Sequence, residues 1–233
     1  MRLAAALLAL ALAGPAHAAG CRQALAMGLD VSGSVDASEY RLQLDGLAAA
    51  LTSPKVRALL LGGGAAPVRV AVYSWSGPSD QHLVLDWTPI DSATALEGVA
   101  DTLRAYARQP DSEGTALGAA MQTGLSLLAG QSDCWRRTLD ISGDGRSNLG
   151  PAPASIPAPP GITINGLVVG ADHQAIGDTR QMDIKELSSY YRVNVLRGPD
   201  AFVETALGYV AFEDAMTRKL LREMAAIVVG GLP

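Results

Sequence analysis

The sequence predicts an α/β domain: a mostly parallel central sheet with one antiparallel edge strand and helices on both faces. Two observations carry this expectation. Short β-rich apolar runs alternate with longer stretches whose apolar residues recur at helical spacing. Such alternation implies crossover connections, and so parallel strands covered on both sides. One pair of strand-like runs, 68–75 and 82–87, is joined instead by a tight turn at Gly77-Pro78. That pair reads as a hairpin and supplies the antiparallel strand.

The first residues stand apart from the domain. Arg2 precedes an apolar run over 3–13, Gly14-Pro15 breaks it, and Ala16-His17-Ala18 has the small-x-small form of a cleavage site. Residues 1–18 therefore read as a secretory signal peptide, leaving 19–233 as the exported domain. The run is too short to span a bilayer, and no later segment is long enough. The expected location is periplasmic or secreted.

The elements follow in order. Residues 24–31 form a short apolar run, a buried strand. Asp36 caps a helix, with Glu39 three residues on as its capping-box partner. Tyr40, Leu44, Leu47 and Leu51 then mark one helical face, which ends at Gly62-Gly63-Gly64 and Pro67. After the hairpin, Asp91 starts a helix with Leu96, Val99, Leu103 and Tyr106 on one side. Residues 110–114 are a polar loop, and Thr115 opens a third helix reaching Ala129. A strand over 135–142 runs into Gly143-Asp144-Gly145. Another follows over 162–169; the Asn165-Gly166 inside it is a hairpin signal, set aside because few residues flank it. A short helix over 183–191, a last strand over 193–197 and a long helix over 201–226 complete the pattern. Between 150 and 161 stand Pro151, Pro153, Pro157, Pro159 and Pro160, where a crossover helix is expected. Prolines at that density forbid a regular helix, so the segment reads as an extended surface strap, open to protease. Trp75, Trp87 and Trp135, at strand ends, read as core or rim packing.

Composition narrows the function. The chain has 233 residues, 48% hydrophobic and 18% charged, with a net charge of −5. That is a globular chain, expected to be monomeric, and its mild acidity without a basic run speaks against nucleic acid. Its two cysteines, Cys21 and Cys134, suggest a disulfide in an exported protein. A lipid on Cys21 is the rival reading, because that residue follows the signal closely, though no Leu precedes it at the usual place.

Ligands of an open parallel sheet bind at the carboxyl ends of its strands. Three polar clusters meet there: Asp30, Ser32 and Ser34 after the first strand; Glu113-Gly114-Thr115 at a helix start; and Asp144 in "SGDGRSN" after the middle strand. Singly, each reads as a turn or a cap. Together they place hydroxyls and carboxylates at one sheet edge, which is hard-ligand chemistry suited to Mg²⁺ or Mn²⁺, ahead of Ca²⁺.

Asp30-x-Ser32-x-Ser34, then Thr115, then Asp144-Gly145 resembles the metal-ion-dependent adhesion site of von Willebrand factor A domains, whose strand and helix order the chain also follows from 24 to 226. "DVSGSVD", "DISGDGRSN", "GITINGL" and "GPDAFVETA" resemble an uncharacterised family of secreted bacterial proteins within that superfamily. The resemblance implies a Rossmann-like fold and a protein-binding module. Ser32 and Ser34 are then direct metal ligands, Thr115 joins or leaves with conformational state, and Asp30 and Asp144 stand mainly behind them. An unidentified partner's Asp or Glu completes the shell. Glu113 is a further candidate, holding a metal-bound water. In the sheet order so implied, the strands ending at Asp30 and Asp144 are parallel neighbours. Cys21 lies nine residues before Asp30 and Cys134 ten before Asp144, so the two begin nearly level and within bridging distance.

An enzyme is the alternative function, a metal-dependent hydrolase or phosphotransferase using Asp30 and Asp144. A phosphotransferase of the haloacid-dehalogenase type needs a second carboxylate where Ser32 stands. A lipase-like esterase needs a serine directly after Asp144 and a histidine base, and beyond the signal only His82 and His173 remain. No catalytic residue is assigned.

Overall fold

The computed structural model describes residues 20–62, 66–109, 112–170 and 183–230, with the backbone alone over 226–230. The stretch read as a signal peptide and His173 lie outside the described residues.

The first strand, β1 (Cys21–Asp30), is buried along its whole length. Helix α1 (Ala37–Thr52) starts at Asp36, whose carboxylate accepts from the amides of Ser38 and Glu39 while the Glu39 side chain accepts from the Asp36 amide. That is the expected capping box. Ser53-Pro54 then divides the helical region: Ser53 leaves helical geometry and Pro54 opens a second helix, α2 (Pro54–Leu61), because proline suits the first helical turn and not an interior. The hairpin is β2 (Val68–Trp75) and β3 (Gln81–Ile90). Helix α3 (Ala93–Ala105) is capped by Ser92, one residue after the Asp91 expected to start it. Helix α4 (Leu117–Ala129) precedes β4 (Cys134–Gly143), and β5 (Ile162–Gly170) follows the strap. Gly166 in β5 is no turn residue. A Cβ there would stand 2.7 Å from the Tyr191 ring, so the glycine makes room for a buried tyrosine.

The last quarter departs from expectation. Helix α5 (Ile184–Asn194) runs through Val193, which is exposed. Only an isolated antiparallel bridge between Ile164 and Arg197 stands where a last strand was expected over 193–197. The sixth strand is β6 (Val203–Leu207), and the final helix, α6 (Phe212–Gly230), begins well after residue 201. Gly198 and Asp200 in left-handed conformation turn the chain into β6, and Gly208 turns it out again. Helical spacing in this stretch was outweighed by those turns and by pairing with β5.

The sheet order is β3-β2-β1-β4-β5-β6, with β2–β3 antiparallel and every other pairing parallel. Alternate residues of β1 feed two cores. Leu25, Met27 and Leu29 pack with α1, α2, α3 and α6, while Ala24 and Ala26 pack with α4 and α5. The Pro-rich strap is not loose. It holds a single turn over Pro153–Ser155, buries Pro153 and Ile156, and receives hydrogen bonds from Arg197 and Arg137 on the carbonyls of Pro153 and Pro160. It rests so closely on α4 that a Cβ on Gly118 would collide with the Pro151 carbonyl. Trp75 is buried and Trp87 half-buried, but Trp135 is exposed.

Cys21 and Cys134 are direct register partners of β1 and β4 and form a disulfide. The Cys21 thiol is therefore not the one a lipid anchor would use. One polar island interrupts the first core: Asp140 of β4 faces Lys219 and Glu223 of α6, all buried. Glu223 Oε1 accepts from Lys219 Nζ at 2.6 Å and from Asn165 Nδ2 at 2.7 Å. Among the described residues no helix is long and apolar enough to cross a membrane.

Candidate metal centre

β1 and β4 end level, side by side, and the loop into α4 comes down beside them. This brings the three clusters to one place. Asp30 is fully buried, and its Oδ1 accepts from the Ser32 amide at 2.8 Å, which turns the chain sharply off the strand. Ser32 Oγ and Ser34 Oγ lie 3.4 Å apart. Ser34 Oγ donates to Asp144 Oδ1 at 2.6 Å, across the gap between the two strands. Thr115 joins through the Asp144 loop: its amide donates to Asn148 Oδ1 at 2.8 Å, and its carbonyl accepts from the Asn148 amide at 2.9 Å. A Cβ on Gly145 would be 3.9 Å from Thr115 Oγ1.

A turn role accounts for Asp30 Oδ1, but caps and turns do not account for the rest of the set. Asp36, not Ser32 or Ser34, caps α1. The residue at the cap of α4 is Ala116, which supplies no side-chain bond, so Thr115 is one residue outside the expected helix start. Asp144 is 1% exposed, where an ordinary turn aspartate is solvated. Glu113 enters through its backbone: its carbonyl accepts from the Gly33 amide at 3.2 Å. A Cβ on Gly33 would press to 2.9 Å from Glu113 Cβ, so glycine is required for this contact.

The electrostatics are those of a site short of positive charge. Asp30 Oδ2 and Asp144 Oδ2 are buried and accept no well-formed hydrogen bond among the described residues, although the Ser32 hydroxyl and Asp144 amide stand close to the Asp30 carboxylate and the Tyr209 phenol close to that of Asp144. Burial pushes the Asp30 carboxyl up to about 8, with the charge of Asp144 adding and the hydrogen bonds from Ser32 opposing. Burial likewise raises Asp144 against the opposing bond from Ser34. Two acids so placed need a cation to ionise together. The surrounding oxygens are hydroxyls, and among the described residues no three His, Cys, Asp or Glu side chains gather as a metal site. Two carboxylates with three hydroxyls are a hard oxygen set that fits a divalent ion.

Several supporting residues were not read from the sequence. Gln43 of α1 donates to the Asp30 carbonyl at 2.8 Å, and Asn148 bridges to Thr115. The Tyr209 phenol faces Asp144, and the Tyr191 phenol stands beside Asp30; burial, then the neighbouring carboxylates, raise both phenols. Gly143 admits this approach, since a Cβ there would lie 2.5 Å from Tyr191 Oη and 2.8 Å from Asp30 Oδ2. Only Asn148 left a local signal, as the last residue of "SGDGRSN". His82, the second residue of the edge strand β3, pairs with Ser74 of β2 and so is level with Leu29 at the same sheet edge, two strands from β1.

A family model described as "protein of unknown function (DUF1194)" matches residues 20–228. No curated protein matches the sequence. Among solved structures, the chain is similar to the vWF domain of the type V pili tip protein Mfa5 from Porphyromonas gingivalis, with 12% identity over 92% of this chain and 97% of that one, at a TM-score of 0.57. It is similar to the pilus adhesin SpaC from Lactobacillus rhamnosus GG at 12% identity and a TM-score of 0.55, covering 89% of this chain and 31% of that one. It is also similar to proximal thread matrix protein 1 from the mussel byssus, with a zinc-occupied MIDAS motif, at 14% identity and a TM-score of 0.58, covering 88% of this chain and 48% of that one. The chain thus spans about a third of the adhesin and about half of the byssus protein. These likenesses show the fold, that of a von Willebrand factor A-like domain.

Proposed function

The chain belongs to the DUF1194 family, and for it we propose a metal-dependent protein-binding function exercised outside the cytoplasm. The observation that carries the reading is the pair of buried carboxylates, Asp30 and Asp144, whose Oδ2 atoms accept no well-formed hydrogen bond among the described residues, set among the hydroxyls of Ser32, Ser34 and Thr115. These five residues would hold Mg²⁺ or Mn²⁺. The ion, when bound, supplies a positive point able to take one further carboxylate.

The protein's own groups shape that preference. Ser32, Ser34 and Thr115 offer neutral oxygens, so little of the ion's charge is cancelled where it faces solvent. The two aspartates are buried and each is fixed by a serine: Asp30 by the Ser32 amide and Asp144 by the Ser34 hydroxyl. An Asp or Glu from a partner protein is then strongly attracted. Pilus and byssus proteins among the structural neighbours support an adhesive role, and the disulfide supports an oxidising compartment.

The test is titration of the full chain with Mn²⁺ and Mg²⁺, by calorimetry and thermal melting. Metal binding to the native state raises the melting temperature by mass action. Ser32→Ala with Ser34→Ala abolishes that rise while the metal-free protein stays folded. An unchanged metal response in the double variant overturns the site. Capture of a partner that is lost with EDTA and with Asp30→Ala extends the test to binding. Phosphatase or esterase turnover that disappears in Asp30→Asn would favour the enzyme instead.

A further inference from the structure

Arg108 lies in the connection between α3 and α4, outside every motif read from the sequence. Its guanidinium donates from Nη1 to the Val35 carbonyl at 2.8 Å and from Nη2 to the Val31 carbonyl at 2.7 Å. These two carbonyls bracket the segment that carries Ser32 and Ser34. The guanidinium carbon also stands 5.7 Å from the ring centroid of Tyr40, a buried residue of α1. One planar fork therefore fixes both ends of the loop at once.

Resting on the metal-binding reading above, we infer that Arg108 is a positioning residue that sets the affinity of the site. Five residues of chain separate the two bracketed carbonyls inclusively, and a loop so short moves as a unit if its ends are held. With Arg108 in place, Ser32 and Ser34 are presented at a set separation before any ion arrives. Preorganisation of this kind strengthens binding by removing the cost of ordering the ligands. Between α3 and α4 also stands Glu113, two residues before Thr115, whose carbonyl accepts from the Gly33 amide at the middle of the same serine loop. Lysine cannot substitute: its ammonium is a point donor on a flexible stem, without the rigid fork.

The experiment measures Mn²⁺ affinity and metal-free melting temperature for the full chain as wild type, Arg108→Gln and Arg108→Lys. Loss of one charge-assisted bracket is expected to weaken Mn²⁺ by about tenfold or more in Arg108→Gln, with Arg108→Lys still clearly weakened. Affinity unchanged in both variants, with only the melting temperature lowered, overturns the inference and leaves Arg108 a support of the fold. Full recovery in Arg108→Lys overturns it as well, because nearby charge would then suffice. If Arg108→Gln does not fold, Arg108→Lys carries the comparison. Absence of Mn²⁺ binding to the wild type defeats the metal reading itself, and is thereby distinguished from a failure confined to Arg108.

Discussion

Replacing Lys219 with Met tests the packing that holds β4, the strand that delivers Asp144. Lys219 is 0% exposed and faces Asp140 and Glu223, which are 2% and 5% exposed. It contacts Asp140 Oδ1 and donates to Glu223 Oε1 at 2.6 Å. Methionine is close in shape, so the substitution removes the charge and leaves two buried carboxylates facing each other. Breaking a buried pair in this way costs about 3–5 kcal/mol. For a domain of this size that lowers the melting temperature by about 6–20 °C. The pH dependence has a definite sign. Burial would lower the Lys219 ammonium, but Asp140 and Glu223 carry it above its ordinary value. Burial pushes Asp140 up to about 7, against the pull of Lys219. A carboxyl raised in the folded state keeps its proton there, so its contribution is present below about pH 4 and is lost as pH rises through about 7. Without the lysine, Asp140 loses the charge that opposes the effect of its burial, so the deficit of Lys219→Met should be larger at pH 8 than at pH 5. Calorimetric melting at both values checks this. A variant within about 1 kcal/mol of wild type at pH 8 would refute the assignment of Lys219 as the balancing charge.

Two further outcomes are expected. Removing the disulfide with Cys21→Ala and Cys134→Ala should destabilise the protein by up to about 4–5 kcal/mol on the chain-entropy model, because the bond closes a sequence separation of 113; chemical denaturation of the double variant measures it, and non-reducing peptide mass spectrometry checks the bond. The Pro-rich strap should resist limited proteolysis as long as the core does, since Pro153 and Ile156 are buried and two arginines bond its carbonyls; early cleavage within 150–161 would contradict that packing.

Much of the fold was legible because hydrophobic period and turn chemistry agree over most of the chain. The β2 run over 68–75 and the Asp36–Glu39 capping box are local signals, and the structure follows both. The cysteine spacing was legible once the sheet order was supposed, since level parallel neighbours share a register. The strap and the last quarter were not. Proline count forbids a helix but does not say whether an extended segment is buried. That depends on Gly118 leaving a flat place on α4, a pairing of distant residues. Residues 201–207 contain helix-compatible spacing, and what makes them a strand is the β5 edge beside them. Tertiary pairing overrides local preference where that preference is weak.

The candidate site divides along the same physical line. Its oxygen donors lie on three short sequence clusters, each with a composition unusual enough to notice. The groups that hold those donors carry no such mark. Gln43 looks like a helix-surface glutamine, yet it is buried and donates to the Asp30 carbonyl at 2.8 Å. Arg108 looks like a solvated loop arginine, yet it spans two carbonyls of the serine loop. Tyr191 and Tyr209 look like ordinary core aromatics, and only their hydroxyls, turned toward Asp30 and Asp144, set them apart. Each acts across a sequence gap that only the folded topology closes. A donor can be recognised by its own chemistry. A positioning group can be recognised only by what it touches, so the donors of such a site are readable in advance while its affinity is written in residues that are not.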